Sequence, residues 1–203
     1  VIDVPTANIG AVMELLGQRR GICTAMETRS ETSHLEFTVP ARGLIGVRNR
    51  LLNATNGTAI MHHNFYEYEL LRGSIPGRGN GVLISMDTGQ VTAYAIEGLT
   101  DRGVLCVSPG DPVYVGQIVG EHNRENDLDI NVSRLKKLTN MRASGADKTV
   151  VLKPPRIFTL EMALEFIEDD ELVEVTPDAI RLRKRMLTEN DRKRAARSKA
   201  AST

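Results

Sequence analysis

The apolar residues of the first 68 positions switch repeatedly between a period of two and a period near 3.6, and the order of those switches constrains the fold more than any other feature of the chain. Residues 1–4 form a short apolar run stopped by Pro5. Thr6 then stands where a helix cap would, ahead of Ile9, Val12, Met13 and Leu16, which share one helical face. Gly21 stops that helix, and residues 22–28 and 33–39, with Leu35, Phe37 and Val39 alternating, predict a hairpin across the polar turn 29–32. A second helical pattern at Leu44, Ile45, Val47, Leu51 and Leu52 ends at 53–57, and 58–68 reads as extended. The expected order is strand, helix, strand, strand, helix, strand. Helices at 6–20 and 43–53 then lie on one face of a four-stranded sheet, with Leu51 in its core.

That split βαβ order is the ferredoxin-like fold, assigned here to residues 1–72. The glycine-rich stretch 72–81 marks a boundary, after which short apolar runs at 82–86, 104–107, 113–119, 128–132 and 149–153 are separated by turn signals such as Asp87-Thr88-Gly89 and Ser108-Pro109-Gly110-Asp111-Pro112. A mostly β domain over 73–187 follows. One helix is expected after Thr159, from Leu160, Ala163, Leu164 and Ile167, and one more strand at 172–175. Residues 91–99 fit helix or strand, with the alanines favouring helix. The class is α+β, and residues 188–203 read as a disordered basic tail.

With 203 residues, 41% hydrophobic and 26% charged, the chain can bury real cores. Its 26 basic and 26 acidic side chains cancel, which excludes bulk polyelectrolyte attraction to nucleic acid or membrane and leaves only local patches. Residues 181–203 hold nine basic and two acidic groups, leaving 17 of the 26 basic and 24 of the 26 acidic side chains on an acidic body. No apolar run approaches the roughly 20 residues of a membrane span, so the reading is a soluble cytoplasmic chain with no membrane and no DNA partner. Cys23 and Cys106 are too few for a disulfide scaffold or a Cys-rich zinc site. Val1 in place of Met, in a run that already reads as strand, points to a chain that begins inside a larger protein.

Gly77, Gly79 and Gly81 suggest a phosphate loop, but a strand-like run follows them where a helix would be needed, so a structural turn is favoured. His62 and His63 are adjacent and would point to opposite faces of a strand. Glu121, His122, Asp127 and Asp129 imitate a carboxylate and histidine site without an HExxH or a nucleophile elbow beside them. The acidic run 165–171 is either a solvated helix end or a dock for the basic tail. Residues 134–148 are the most informative: five basic groups against one acidic, with Thr, Asn, Ser and Gly and no apolar period. This composition suits a long basic loop that meets RNA, with Arg134, Lys136, Lys137, Asn140, Arg142, Ser144 and Lys148 as the contacts.

Ala54-Thr55-Asn56-Gly57, followed by Phe65 and Tyr68 and preceded by Pro40-Ala41-Arg42-Gly43-Leu44-Ile45-Gly46, resembles the fifth domain of the EF-G class of translational GTPases. Asn80-Gly81-Val82-Leu83-Ile84-Ser85-Met86, Gly120-Glu121-His122-Asn123-Arg124, Lys137-Leu138-Thr139-Asn140-Met141-Arg142-Ala143-Ser144-Gly145 and Leu172-Val173-Glu174-Val175-Thr176-Pro177 resemble the carboxyl-terminal domain of the BipA/TypA family. The resemblance spans almost the whole chain and implies the ribosome-binding region of a translational GTPase. By that resemblance the loop 134–148 reaches large-subunit rRNA and the acceptor end of A-site tRNA, with roles in ribosome assembly, stress adaptation and virulence. It implies no catalytic, metal or cofactor residue in this chain, GTP and Mg2+ being held by an amino-terminal domain of a parent that hydrolyses GTP. Two other readings stand beside it: a protein-interaction module whose basic tail binds an acidic partner, and a small hydrolase domain using Glu121, His122 and Asp127.

Overall fold

Alternation in Ile2-Asp3-Val4 puts Ile2 and Val4 on one face of the first strand, where both are buried, and the first unit is built on that face. The computed structural model describes residues 1–71, 73, 75, 77–135 and 152–201, in two units, Val1–Gly77 and Arg78–Thr203. In chain order unit 1 contains β1 (Ile2–Pro5), α1 (Ile9–Gln18), β2 (Ile22–Arg29), β3 (Thr32–Thr38), α2 (Val47–Ala54) and β4 (Ile60–Met61). The sheet order is β2-β3-β1-β4, antiparallel at every pairing, which is the ferredoxin-like arrangement. Val12, Leu16, Val47 and Leu51 bring both helices onto Ile2, Val4 and Leu35 in one buried cluster.

Local details depart from the sequence reading. Thr6 does not cap α1 through its side chain; a 3-10 turn at Thr6–Asn8 precedes the helix, and Thr6 Oγ1 lies 3.3 Å from Ser33 Oγ. Met13 stays 40% exposed, off the buried face. The helix expected over 43–53 is two pieces, a 3-10 turn at Ala41–Leu44 and α2. The break comes where Ile45 is extended and Gly46 takes φ +74, a conformation glycine adopts without steric cost. Of the extended run over 58–68 only β4 pairs, and its last rung is His62 N to Val1 O at 3.0 Å.

Unit 2 carries β5 (Val82–Ser85), β6 (Gly89–Gln90), α3 (Ala93–Leu99), β7 (Gly103–Leu105), β8 (Pro112–Val113), β9 (Gln117–His122), β10 (Leu128–Ile130), α4 (Leu160–Phe166), β11 (Glu171–Val175), β12 (Ile180–Lys184) and α5 (Glu189–Ala201). Its main sheet runs β10-β5-β9-β12-β11 with β7 also on β9; β10 and β5 are parallel and the other pairs antiparallel. Both faces are covered, which is why β5 reads as an unbroken apolar run. Val82 and Ile84 enter a cluster with Ile118, Leu182 and Ala163 of α4, whereas Leu83 enters a second one with Ile96, Leu105, Val119, Ile130 and Val132.

The ambiguous stretch 91–99 resolves as α3, begun by Thr92, whose hydroxyl accepts from Ala95 N at 3.1 Å. The single run expected over 113–119 is two strands in different sheets. Gln117 turns the chain between them, its N donating to Tyr114 O at 3.1 Å and its side-chain oxygen accepting from Tyr114 N at 3.2 Å. Of the run 149–153, residues 149–151 lie outside the described residues. Of the tail expected to be disordered over 188–203, residues 189–201 form the helix α5. Thr188 starts it, its hydroxyl accepting from Asp191 N at 3.2 Å and donating to Asp191 Oδ2 at 2.6 Å. Residues 180–184, which carry the first charges of the basic stretch 181–203, form an inner strand of the sheet. Among the described residues no helix is long and apolar enough to cross a membrane.

Candidate nucleic-acid interface

Two stems frame the basic segment, and both are rooted in one core. At the first, β10 ends at buried Ile130, and Val132, fully buried, is held by Thr92 N donating to its carbonyl at 3.0 Å. Two residues on, Thr92 Oγ1 donates to Arg134 O at 2.6 Å, and the Arg134 guanidinium lies over the Tyr94 ring, 5.9 Å from its centroid. At the second stem Leu152 packs against the same cluster as Val132. Arg156 N then donates to Leu105 O at 2.8 Å, and its guanidinium pairs with Glu121 Oε2 at 2.6 Å, 5.7 Å from the Phe158 centroid. Of the residues read as RNA contacts, Arg134 is thus a stem residue stacked on an aromatic ring, while Lys136, Lys137, Asn140, Arg142, Ser144 and Lys148 lie outside the described residues.

The carboxylate and histidine set does not converge on a common point of chemistry. Glu121 is taken by Arg156 and by Asn80 Nδ2 at 3.2 Å, and His122 Nδ1 is 2.6 Å from Asn126 O on a buried ring. Asp127 Oδ1 accepts from Val82 N at 2.9 Å, its other oxygen meets Lys184 Nζ at 2.7 Å, and Asp129 pairs with Arg192. His62 and His63 are exposed and follow β4. Gly81 is a packing position: a Cβ there would lie 2.2 Å from Asn126 O, and β5 follows it at once. Burial pushes the Cys106 thiol up to about 12, so it offers no thiolate near neutral pH.

At its carboxyl end the acidic run 165–171 docks Arg78 and, from the basic stretch 181–203, Lys184. Glu171 accepts from Arg78 at 2.8 and 3.1 Å on its two oxygens and from Lys184 Nζ at 2.9 Å, and Lys184 also reaches Asp170 at 2.9 Å. Burial works against the Glu171 charge, and the bonds from Arg78 and Lys184 more than offset it, holding the carboxyl below the usual carboxylate range. Lys184 is the mirror case. Burial favours its neutral amine, but Asp127, Glu171 and Asp170 raise its pKa above the ordinary lysine value. A cleft of about 340 Å³ opens over this cluster, lined by Asn80, Gly81, Glu125 and Glu168 as well as the charged groups. A carboxylate locked in its ionised form between two cations is a structural tie, not a general acid. The signal for it lies in the cross-strand pairs Glu171 with Lys184 and Glu174 with Arg181, which match opposite charges along β11 and β12.

Residues 80–189 match the family described as TypA/BipA C-terminal domain, and residues 1–78 match that described as Elongation factor G C-terminus. The chain is 48% identical over 200 residues to the Large ribosomal subunit assembly factor BipA of Bacillus subtilis, covering 98% of this chain and 33% of that protein. To the protein of that name in Escherichia coli K12 it is 51% identical over 199 residues, 97% of this chain and 33% of the relative. With the Haemophilus influenzae protein the identity is 48% over 204 residues, 100% and 33%. The chain therefore spans about a third of the length of these relatives. Because the first of these matches takes in more than half of its residues, the chain belongs to the TypA/BipA C-terminal domain family.

Proposed function

We propose that this chain is the ribosome-contacting carboxyl-terminal region of a translational GTPase that acts in large-subunit assembly and stress adaptation, and that residues 134–148 make its RNA contacts. The observation that carries the reading is the mounting of that segment: the chain leaves one core cluster at Val132 and rejoins it at Leu152, with Arg134 and Arg156 fixed over aromatic rings at the two stems. Basic segments anchored on a packed core at both ends are a common way to build a binding site. The shared name of the relatives supports the large subunit as the target. Large-subunit rRNA and the acceptor end of A-site tRNA offer the phosphates and unstacked bases that Lys, Arg and Asn recognise.

GTP and Mg2+ belong to the amino-terminal domain of such a parent. The glycine-rich stretch here does not fit a nucleotide phosphate, since Gly81 is packed against Asn126 and leads into a strand. Catalysis would then reside outside this region, which binds in the cytoplasm where ribosomes are. Binding to large ribosomal subunits across a potassium series tests the proposal. Replacing Lys136, Lys137, Arg142 and Lys148 together by Ala should lower the slope of log affinity against log salt by about three, at roughly 0.7 to 0.9 per phosphate contact. Equal slopes for variant and wild type overturn it.

A further inference from the structure

Helix α5 has an inner and an outer side that differ in chemistry. Glu189, Arg192 and Ala195 fall on the half-buried side, and Arg192 fixes it: its guanidinium pairs with Asp129 on β10 and donates to Leu187 O at 2.7 Å and Met186 O at 3.1 Å. Lys193, Arg194 and Arg197 fall together on the exposed side, at the three- and four-residue spacings that make helix neighbours. Lys193 pairs with Glu189 at 2.5 Å, whereas Arg194 and Arg197 have no partner among the described residues. The helix is built for this polarity. Acidic Glu189 and Asp191 and the Thr188 cap occupy its amino end, where they suit the helix dipole, and the unpaired cations follow.

We infer that the outer face of α5 is a second RNA-binding surface of unit 2, in which Arg194 and Arg197 hold phosphates. The inference rests on the ribosome reading above for the identity of the RNA. Three observations select this partner. The exposed side of the helix offers no Trp, Phe or Leu between 189 and 198, so it is neither a membrane-surface helix nor a groove-binding one. Its two unpaired charges are arginines on a helix, and the planar guanidinium fork matches phosphate oxygens. And the pin that holds it, Asp129, lies on β10, the strand that runs on through Val132 into Arg134, so helix and basic segment are fastened to one strand of the same sheet.

The test measures binding of the whole chain to purified large ribosomal subunits, and to protein-free large-subunit RNA, over a potassium series. Arg194→Ala with Arg197→Ala should lower the salt slope by roughly 1.4 to 1.8, and Arg194→Lys with Arg197→Lys should restore most of it, since the effect is one of charge. Helical circular dichroism and melting temperature should not move, because both side chains are exposed and Ala is the better helix former. The four-residue loop variant is run beside it. If the loop variant loses slope and the helix variant matches wild type, the helix inference falls and the ribosome reading stands. If only the helix variant loses slope, the helix is the RNA contact and the loop reading falls. A loss seen on intact subunits but not on protein-free RNA assigns the helix to a ribosomal protein and overturns the inference. Absence of salt-dependent binding by wild type overturns both.

Discussion

In unit 1 the buried cluster that fastens the helices to the sheet is apolar, Val12, Leu16, Val47 and Leu51 on Ile2, Val4 and Leu35. In unit 2 the hairpin of β11 and β12 is fastened in addition by Arg78, Glu171 and Lys184, whose side chains are 7%, 0% and 3% exposed. The first kind of tie is non-directional and scales with the area removed from water. The second requires each donor to meet its oxygen, and its net contribution is small once desolvation is counted. What it supplies is geometry: the pairing of Glu171 with Lys184 fixes the register of β11 on β12, and Arg78 draws the start of the unit onto the same carboxylate. A basic residue in this chain therefore has two fates. Lys184 is consumed by the fold, and Arg194, ten residues later in the same basic stretch, faces solvent.

Breaking the charged tie should have the largest effect. Glu171→Ala takes the shared carboxylate from two buried cations, leaving Arg78 without a carboxylate and Lys184 with Asp127 and Asp170, and is expected to cost about 3–5 kcal/mol, read as a lower urea midpoint for unit 2. The comparison sharpens if all three members are replaced by apolar residues of similar size, Arg78→Met, Glu171→Leu and Lys184→Met. Stability should then return to within about 1 kcal/mol of wild type or exceed it. A triple variant as unstable as Glu171→Ala would show that the ion cluster stabilises the fold outright. Next in size is Leu51→Ala, fully buried in unit 1, at about 3 kcal/mol from lost burial and the cavity left behind. An unchanged unfolding midpoint would remove Leu51 from the core.

These ties also mark what could be read in the sequence. Val12, Leu16 and Leu51 were legible because a period of 3.6 names the buried face directly, and the hairpin placed Leu35 opposite them. Met13 shows the limit, since a face in a pattern is wider than the strip that packs. The strand at 180–184 was hidden by its charge: Ile180 and Leu182 alternate, but the next member of the alternation is Lys184, and a buried lysine is legible only with its carboxylates. Helix α5 was hidden because its apolar residues are all alanine, with no large side chain to mark a buried face. Its evidence was local, the Thr188 to Asp191 cap and the Glu189 to Lys193 pair. Of the candidate site, composition picks out the segment proposed to meet RNA, but it could not identify Thr92, Leu105 and Tyr94, which hold the stems from elsewhere in the chain.

The smallest effect expected is that of pH, and it should again separate the two units. Glu171 is held below its unfolded value of 4.5 by Arg78 and Lys184 against the opposing pull of burial. Its contribution is therefore complete above about pH 4.5 and is lost as pH falls through the lower folded value. Lys184, raised above 10.5 by Asp127, Glu171 and Asp170 despite burial, contributes fully below that pH and loses its part as pH rises through the folded value. Unit 2 should show a plateau between these limits and decline on both sides. The apolar cluster of unit 1 contains no ionisable group and should give no such edges of its own. Protonation spares the carbon skeleton of Glu171 and leaves it a hydrogen-bonding carboxyl, so the loss on acidification should be smaller than that of Glu171→Ala. Hydrogen-exchange protection of the amides of Leu172 and Arg183, which lie opposite each other in β11 and β12, compared with those of Val4 and Leu35 from pH 7 down to pH 3, reads the difference. Protection that falls first in β11 and β12 is the expected result. An equal fall in both units would mean that acid acts on something other than the Glu171 tie, and the same titration on the triple apolar variant should then still show it.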